Sequence, residues 1–188
     1  MSQNWKEEIR DAVVRADSRQ IAAIARERVP RVIRYLTSRL YSGDEDEKRR
    51  VVGALGAVVA DREVMDKRRT TDLLRRFVWA LNDESGAVPY GVPEAIGEVL
   101  AVRPEFQEAF LPILCALLTE DDMSQTGSIE RGVLWAVGRV GPPVRAYSAG
   151  VVAAVRRAAE SHPDAGTRAV AEHSLHAITK ETEVAETE

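Results

Sequence analysis

Four segments of this chain repeat one helical pattern. Each is eight residues long, and they begin at Val51, Val92, Val133 and Ala171. The first three begin 41 residues apart, and the fourth begins 38 residues after the third. In every segment, small or apolar residues at the first, fourth, fifth and eighth positions form one stripe of an α-helix. A fixed period of this size is typical of stacked helix pairs. The sequence therefore predicts an all-α solenoid.

Two positions of the repeated helix carry small side chains. The fourth position is Ala54, Ala95, Ala136 or Ser174. The sixth position holds Gly56, Gly97 and Gly138 in the first three segments and His176 in the last. Glycine destabilises a helix interior by about 1 kcal/mol relative to alanine. Its recurrence at one position therefore predicts close packing between neighbouring helices, and His176 suits the end of the stack.

An apolar helix precedes each repeated segment. We predict these first helices over residues 29–41, 70–81, 105–118 and 145–159. Pro112 lies inside the third and is expected to kink it. Residues 4–28 predict one or two helices, broken near Asp17, that cap the first repeat. The whole pattern indicates one domain over residues 1–180, followed by an acidic, flexible tail at residues 181–188.

Composition narrows the classes of function. The formal net charge of −4 disfavours a general nucleic-acid binder, which usually carries a basic stripe. The sequence contains no run of about 18–20 apolar residues that could span a bilayer, and the first eight residues lack an apolar signal region. We therefore expect a soluble, cytoplasmic protein. Its one cysteine, Cys115, lies in an apolar run and is predicted to be buried.

Residues 44–56 and 166–175 resemble a HEAT-like repeat of the phycobilisome-lyase type. In that family an acidic loop leads into a helix with a basic residue, then alanines and then Ala-Leu-Gly. Residues 79–86 and 90–95 look like a segment of uncharacterised prokaryotic HEAT-like proteins. The resemblance implies a right-handed superhelix of about four HEAT-like helix pairs, whose second helices line a concave face. It also implies a scaffold or protein-binding surface, since only a few such proteins are bilin lyases or DNA glycosylases.

The repeat register predicts which side chains this concave face presents. Positions opposite the apolar stripe are crowded in the second and third repeats. The candidate partner-binding residues there are Tyr90, Glu94, Glu98, Arg131, Trp135 and Arg139, with His173 in the fourth repeat. Trp135 has two interpretations: an exposed recognition residue, or a residue that the loop at 82–90 covers. Both interpretations hold if the loop forms one wall of a pocket that contains Trp135.

Other residues of this face also have two interpretations. Glu98 and Arg139 occupy the same position in adjacent repeats, so they form a cross-repeat ion pair or contact a ligand. Glu94 and Arg131 present the same choice. The loop residues Asn82, Asp83, Glu84 and Ser85 fit turn formation and capping, or binding of a cation or ligand.

Motifs that would indicate an enzyme are missing from the sequence. It has no phosphate-binding loop, no dinucleotide fingerprint and no nucleophile elbow. The three histidines lack the spacing of a metal site, so we predict neither a metal nor a cofactor. The leading hypothesis is a non-enzymatic interaction or scaffold module that binds a protein or peptide. The alternatives are a DNA-repair glycosylase using Arg49, Arg131, Arg139, Trp135 and Glu94, and a tetrapyrrole-linked lyase or chaperone.

Overall fold

A computed structural model of the chain describes residues 4–81, 91–119 and 127–180. These ranges are helical and contain no strand. The helices are α1 (Trp5–Val14), α2 (Ser18–Arg39), α3 (Glu45–Ala60), α4 (Lys67–Leu81), α5 (Val92–Val102), α6 (Gln107–Thr119), α7 (Gly127–Val140), α8 (Pro142–Tyr147), α9 (Ala149–Ser161) and α10 (Ala165–Thr179). The predicted tail at 181–188 lies outside the described residues. No helix in the described ranges is both long and apolar enough to cross a bilayer.

The four repeated segments form one layer of stacked helices. They lie in α3, α5, α7 and α10, and each of these helices packs against the next. We call these four the inner layer. The second half of α2, together with α4, α6 and α9, packs beside them as the outer layer. The prediction of an α-solenoid of four helix pairs is confirmed, and α1 caps its first pair by packing on α2 and α3.

The small positions of the repeat meet each other across the inner layer. A Cβ added at Gly97 would lie 2.6 Å from Cα of Ala136, and one at Gly138 would lie 2.6 Å from Cβ of Ser174. The glycine at the sixth position therefore packs on the small fourth residue of the next repeat. Close helix packing, predicted from the recurrence of glycine, is confirmed at these two contacts. Gly56 differs, because the side chain of Glu98 fills the space beside it.

Helix boundaries at the two ends of the chain follow local capping. The predicted break near Asp17 is confirmed, and the Asp17 carboxylate accepts a 3.0 Å hydrogen bond from the amide of Gln20 to begin α2. The single helix predicted over residues 145–159 is wrong. Ser148 interrupts it with an extended backbone, and its hydroxyl accepts a hydrogen bond from the amide of Val151 to begin α9.

The two prolines inside helices behave differently. Arg28, two residues before Pro30, has non-helical backbone angles (φ −144°, ψ 37°) that divide α2 in two. Pro30 then lies in the first turn of the second half, where its missing N–H costs little. Helix α6, by contrast, continues through Pro112 as one helix.

Cys115 is buried in the core between the layers, as its apolar neighbours predict. Burial raises the pKa of its thiol to about 12, because the surroundings disfavour the thiolate. The thiol therefore stays protonated and serves as a small apolar side chain.

Substitution of two glycines tests the packing between repeats. Gly97→Ala is expected to destabilise the fold by about 1–3 kcal/mol, because the new methyl group meets the backbone of Ala136. Gly53→Ala is the matched control, since nothing lies within 4 Å of its added Cβ. It should stabilise the helix by up to about 1 kcal/mol. Urea denaturation of both variants measures the difference, and equal stabilities would contradict the packing described above.

Candidate functional site

Helix α5 lies deeper in the inner layer than its neighbours. Gly53, Arg131 and His173 are exposed on α3, α7 and α10, as the register predicts. On α5, however, the side chain of Glu94 is only 12% exposed and Glu98 is 8% exposed. The prediction that Glu94 and Glu98 are presented on an exposed face is therefore wrong. Glycines on both neighbouring helices leave space into which these side chains sink.

Glu98 fills a space on one neighbour and pairs with a cation on the other. Its carboxylate lies against Gly56 of α3. Arg139 of α7 binds that carboxylate through two hydrogen bonds, Nε to Oε2 at 2.6 Å and a terminal guanidinium nitrogen to Oε1 at 3.2 Å. The hydrogen bond to Glu98 raises the pKa of Arg139. Of the two interpretations of this pair, the structure contains the cross-repeat ion pair.

Glu94 contacts the same two helices with the roles exchanged: it lies against a glycine of α7 and pairs with a cation of α3. Its carboxylate lies against Gly132 of α7, where an added Cβ would come 2.5 Å from Oε2. Oε1 lies 3.4 Å from Nζ of Lys48 on α3, and that amine also binds Glu45 at 2.8 Å. Oε2 accepts no hydrogen bond from the described residues. Burial raises the pKa of Glu94, and Lys48 opposes the rise only in part.

Arg131 does not pair with Glu94, contrary to the sequence interpretation. It donates a 2.6 Å hydrogen bond to the carboxylate of Asp164 and a 3.2 Å hydrogen bond to the hydroxyl of Thr167. Both partners belong to the start of α10, so Arg131 reaches forward to the next repeat and not back to α5. The amide and hydroxyl of Thr167, with Arg131, lower the pKa of Asp164 to about 2. Asp164 therefore caps α10 as an anion and orients Arg131.

A half-open cavity of about 330 Å³ lies along the inner layer. The described residues that line it come from all four inner helices: Glu45, Lys48, Arg49, Val52, Glu94, Arg131, Trp135, Gly166 and Val170. Trp135 is partly exposed and rests on the core, so one part of its ring faces the cavity. Lys48 and Glu94 are its buried ionic groups, whereas Arg49 and Arg131 are exposed beside it.

Three of the six predicted partner-binding residues line this cavity: Glu94, Arg131 and Trp135. Glu98 and Arg139 do not line it; they form an ion pair with each other. Tyr90 and the loop residues Asn82, Asp83, Glu84 and Ser85 lie outside the described residues. Lys48 was not predicted as a site residue, although the sequence contains a signal for it. Lys48 continues the apolar stripe of α3, and a cation at a buried position requires an anionic partner.

No family model matches the chain, and no curated protein matches it. Among solved structures, the designed armadillo repeat protein YIII(Dq)4CqI aligns with a TM-score of 0.49 and 20% sequence identity. The alignment covers 86% of this chain and 74% of that one.

The ion pair between Glu98 and Arg139 can be measured by a double-mutant cycle. We expect Glu98→Gln and Arg139→Gln to show a coupling of about 1.5–3 kcal/mol, because the pair is hydrogen-bonded twice and its carboxylate is buried. The exposed pair of Asp46 and Arg49 is the control and should couple by about 0–1 kcal/mol. Urea denaturation of each set gives both values; equal coupling would contradict the role of burial.

The raised pKa of Glu94 predicts a pH-dependent stability. The folded state holds this proton more tightly than the unfolded chain does. The wild-type protein should therefore lose stability relative to Glu94→Gln as the pH rises. The loss begins near pH 4.5, the ordinary glutamate pKa, and is complete once the pH exceeds the raised pKa of Glu94. Denaturation curves at several pH values test this, with the exposed Glu160→Gln as control. A difference that changes in the opposite direction would mean that Lys48 outweighs burial.

Proposed function

We propose that this chain is a non-enzymatic protein-interaction module that binds a segment of a partner along its inner layer. The cavity beside Trp135 receives one anchor side chain of that segment. The observation that carries this proposal is the partly exposed indole at a cavity that all four inner helices line. Because residues of all four inner helices line the cavity, the packing between those helices also fixes its shape.

The size and walls of the cavity favour an apolar anchor. About 330 Å³ is at the lower end of the range for ligand sites and suits one side chain with its neighbouring backbone. Val52, Val170 and Trp135 supply apolar surface. Tryptophan is enriched among the residues that contribute most to binding energy at interfaces. The buried charges of Lys48 and Glu94 already pair with each other, so the anchor needs no charge of its own.

The rim favours a partner segment that offers hydrogen-bond acceptors. Arg49 and Arg131 are exposed at the cavity, with guanidinium groups 3.4 Å from Asp46 and 2.6 Å from Asp164 respectively. A guanidinium group has five donors, so each arginine keeps donors for a second partner. Backbone carbonyls or carboxylates next to the anchor side chain would complement them.

We also propose that the chain is a HEAT-like repeat protein of the phycobilisome-lyase type with a right-handed superhelix. The two segments that resemble this family begin their helices with the same device. The Asp44 carboxylate accepts hydrogen bonds from the amides of Asp46 and Glu47, and Asp164 accepts one from the amide of Thr167. The first and the last repeat therefore share an acidic loop whose aspartate caps the second helix, which supports their assignment to one repeat family.

A second candidate function is DNA binding of the glycosylase kind. Arg49, Arg131, Trp135 and Glu94 line one cavity, which favours this candidate. Arg139 is bound to Glu98 instead, and Glu94 is bound to Lys48. An acid enclosed in this way is poorly placed to reach a base in a duplex, so peptide binding is the better supported proposal.

Selection from a random peptide library tests the interaction proposal. Peptides selected on the immobilised chain are labelled, and their affinity is measured by fluorescence anisotropy. We expect Trp135→Ala to weaken binding about tenfold or more, because the indole is the largest apolar surface in the cavity. Arg49→Glu should also weaken it, since it removes a donor at the rim.

Two matched controls accompany this test. Tyr147→Ala removes an exposed aromatic that does not line the cavity, and Arg156→Glu reverses an exposed charge on α9. Both should leave affinity unchanged. If the selected peptides bind the two cavity variants as tightly as the two control variants, the proposed site is wrong. Salt-dependent binding of a short DNA duplex that Trp135→Ala abolishes would favour the second candidate instead.

A further inference from the structure

The positive charge of this acidic chain is concentrated on its first two outer helices. Residues 29–39, the second half of α2, and Lys67–Leu81, which is α4, hold eight of its 26 lysines and arginines. The same residues hold only one of its 30 aspartates and glutamates. These helices belong to the outer layer, so the charge lies apart from the cavity on the inner layer.

A groove runs between these two helices. It consists of two cavities, of about 650 and 270 Å³, that share Arg34, Thr37 and Arg76 among their lining residues. The shared residues show that the two cavities are adjacent. Apolar side chains with exposed surface form the floor at both ends: Val29 and Pro30 at one end, and Tyr41 and Ala80 at the other, above buried core residues.

Three of the four cations that line this groove lack an acidic partner among the described residues; the fourth, Arg69, lies 4.0 Å from Asp66, and Asp72 also lines the groove. Arg34, Arg75 and Arg76 are exposed, and no carboxylate of the described residues lies within the 4.0 Å of an ion pair. Trp79 lies one turn after Arg75 on α4, and 79% of its surface is exposed. The groove therefore presents partly exposed apolar surface with three unpaired cations at its edges.

We propose that this groove binds an acidic, amphipathic helix of a partner protein. Apolar residues at helical spacing would pack on the floor, and carboxylates on either side would pair with Arg34, Arg75 and Arg76. On α4 the groove extends from Arg69 to Ala80. At 1.5 Å per residue this is about 16 Å, which matches about three turns of a bound helix.

Other anionic ligands fit this groove less well. Phosphates of a duplex need cations but offer nothing to cover an apolar floor. An anionic bilayer presents a broad surface, whereas the apolar residues here lie between two helices. The proposal concerns a different layer from the cavity beside Trp135, so either site can fail without the other.

Fluorescence anisotropy with two synthetic peptides tests the proposal. The probe is an acidic helical peptide with leucines in one stripe, and the comparison peptide has the same composition with the stripe scrambled. We expect the scrambled peptide to bind at least tenfold more weakly. Arg34→Glu with Arg76→Glu should weaken the probe at least tenfold. The matched control, Arg156→Glu with Arg157→Glu, makes the same charge change on α9 and should have little effect.

A single substitution separates groove binding from simple charge attraction. Thr37 lines both cavities. Thr37→Arg adds a cation but fills the groove, so the proposal expects weaker binding, whereas charge attraction alone predicts tighter binding. Circular dichroism confirms that each variant is folded. Tighter binding by Thr37→Arg, equal binding of the two peptides, or displacement of the probe by duplex DNA or phosphatidylglycerol vesicles at lower concentration would overturn the proposal.

Discussion

Two buried carboxylates on α5 connect three helices of the inner layer. Each lies against a glycine of one neighbouring helix and pairs with a cation on the other. The sets are Glu98 with Gly56 and Arg139, and Glu94 with Gly132 and Lys48. A buried charge is tolerated only when it is paired, and removal of either partner leaves the other uncompensated. The crossed arrangement therefore fixes the depth and the rotation of α5 between α3 and α7.

The depth of α5 also creates the candidate site. Because α5 is recessed, α3 forms one wall of the cavity, and α7 with α10 forms the other. Lys48 and Glu94 pair with each other within it, and the exposed Arg49 and Arg131 lie beside the apolar surface that includes Trp135. The interaction that holds the repeats together is thus the one that gives the inner layer a place for a ligand. A change at Glu94 is expected to affect both.

Sequence periodicity predicted the order of the helices because one packing contact recurs. The contacts of Gly97 with Ala136 and of Gly138 with Ser174 repeat the same spacing, which a single chain displays directly. The partner of Arg131 could not be predicted in this way, since its side chain can reach either neighbouring repeat. The burial of Glu94 could not be predicted either, because it depends on Gly132, which lies on a different helix. Lys48 on the apolar stripe was the one available sign of a buried ion pair.

The two layers differ in whether their charged side chains are paired, and we propose a different role for each layer. In the inner layer the carboxylates of α5 lie beside cations of the neighbouring helices, and these contacts position α5 in the stack. Across the outer groove, Arg34 and Arg76 face a shared space without an acidic partner. Like charges that face a shared space repel each other, and salt screens this repulsion at a surface. An acidic helix bound there would neutralise this repulsion and cover the apolar floor, so partner binding and stability of the first two repeats would increase together.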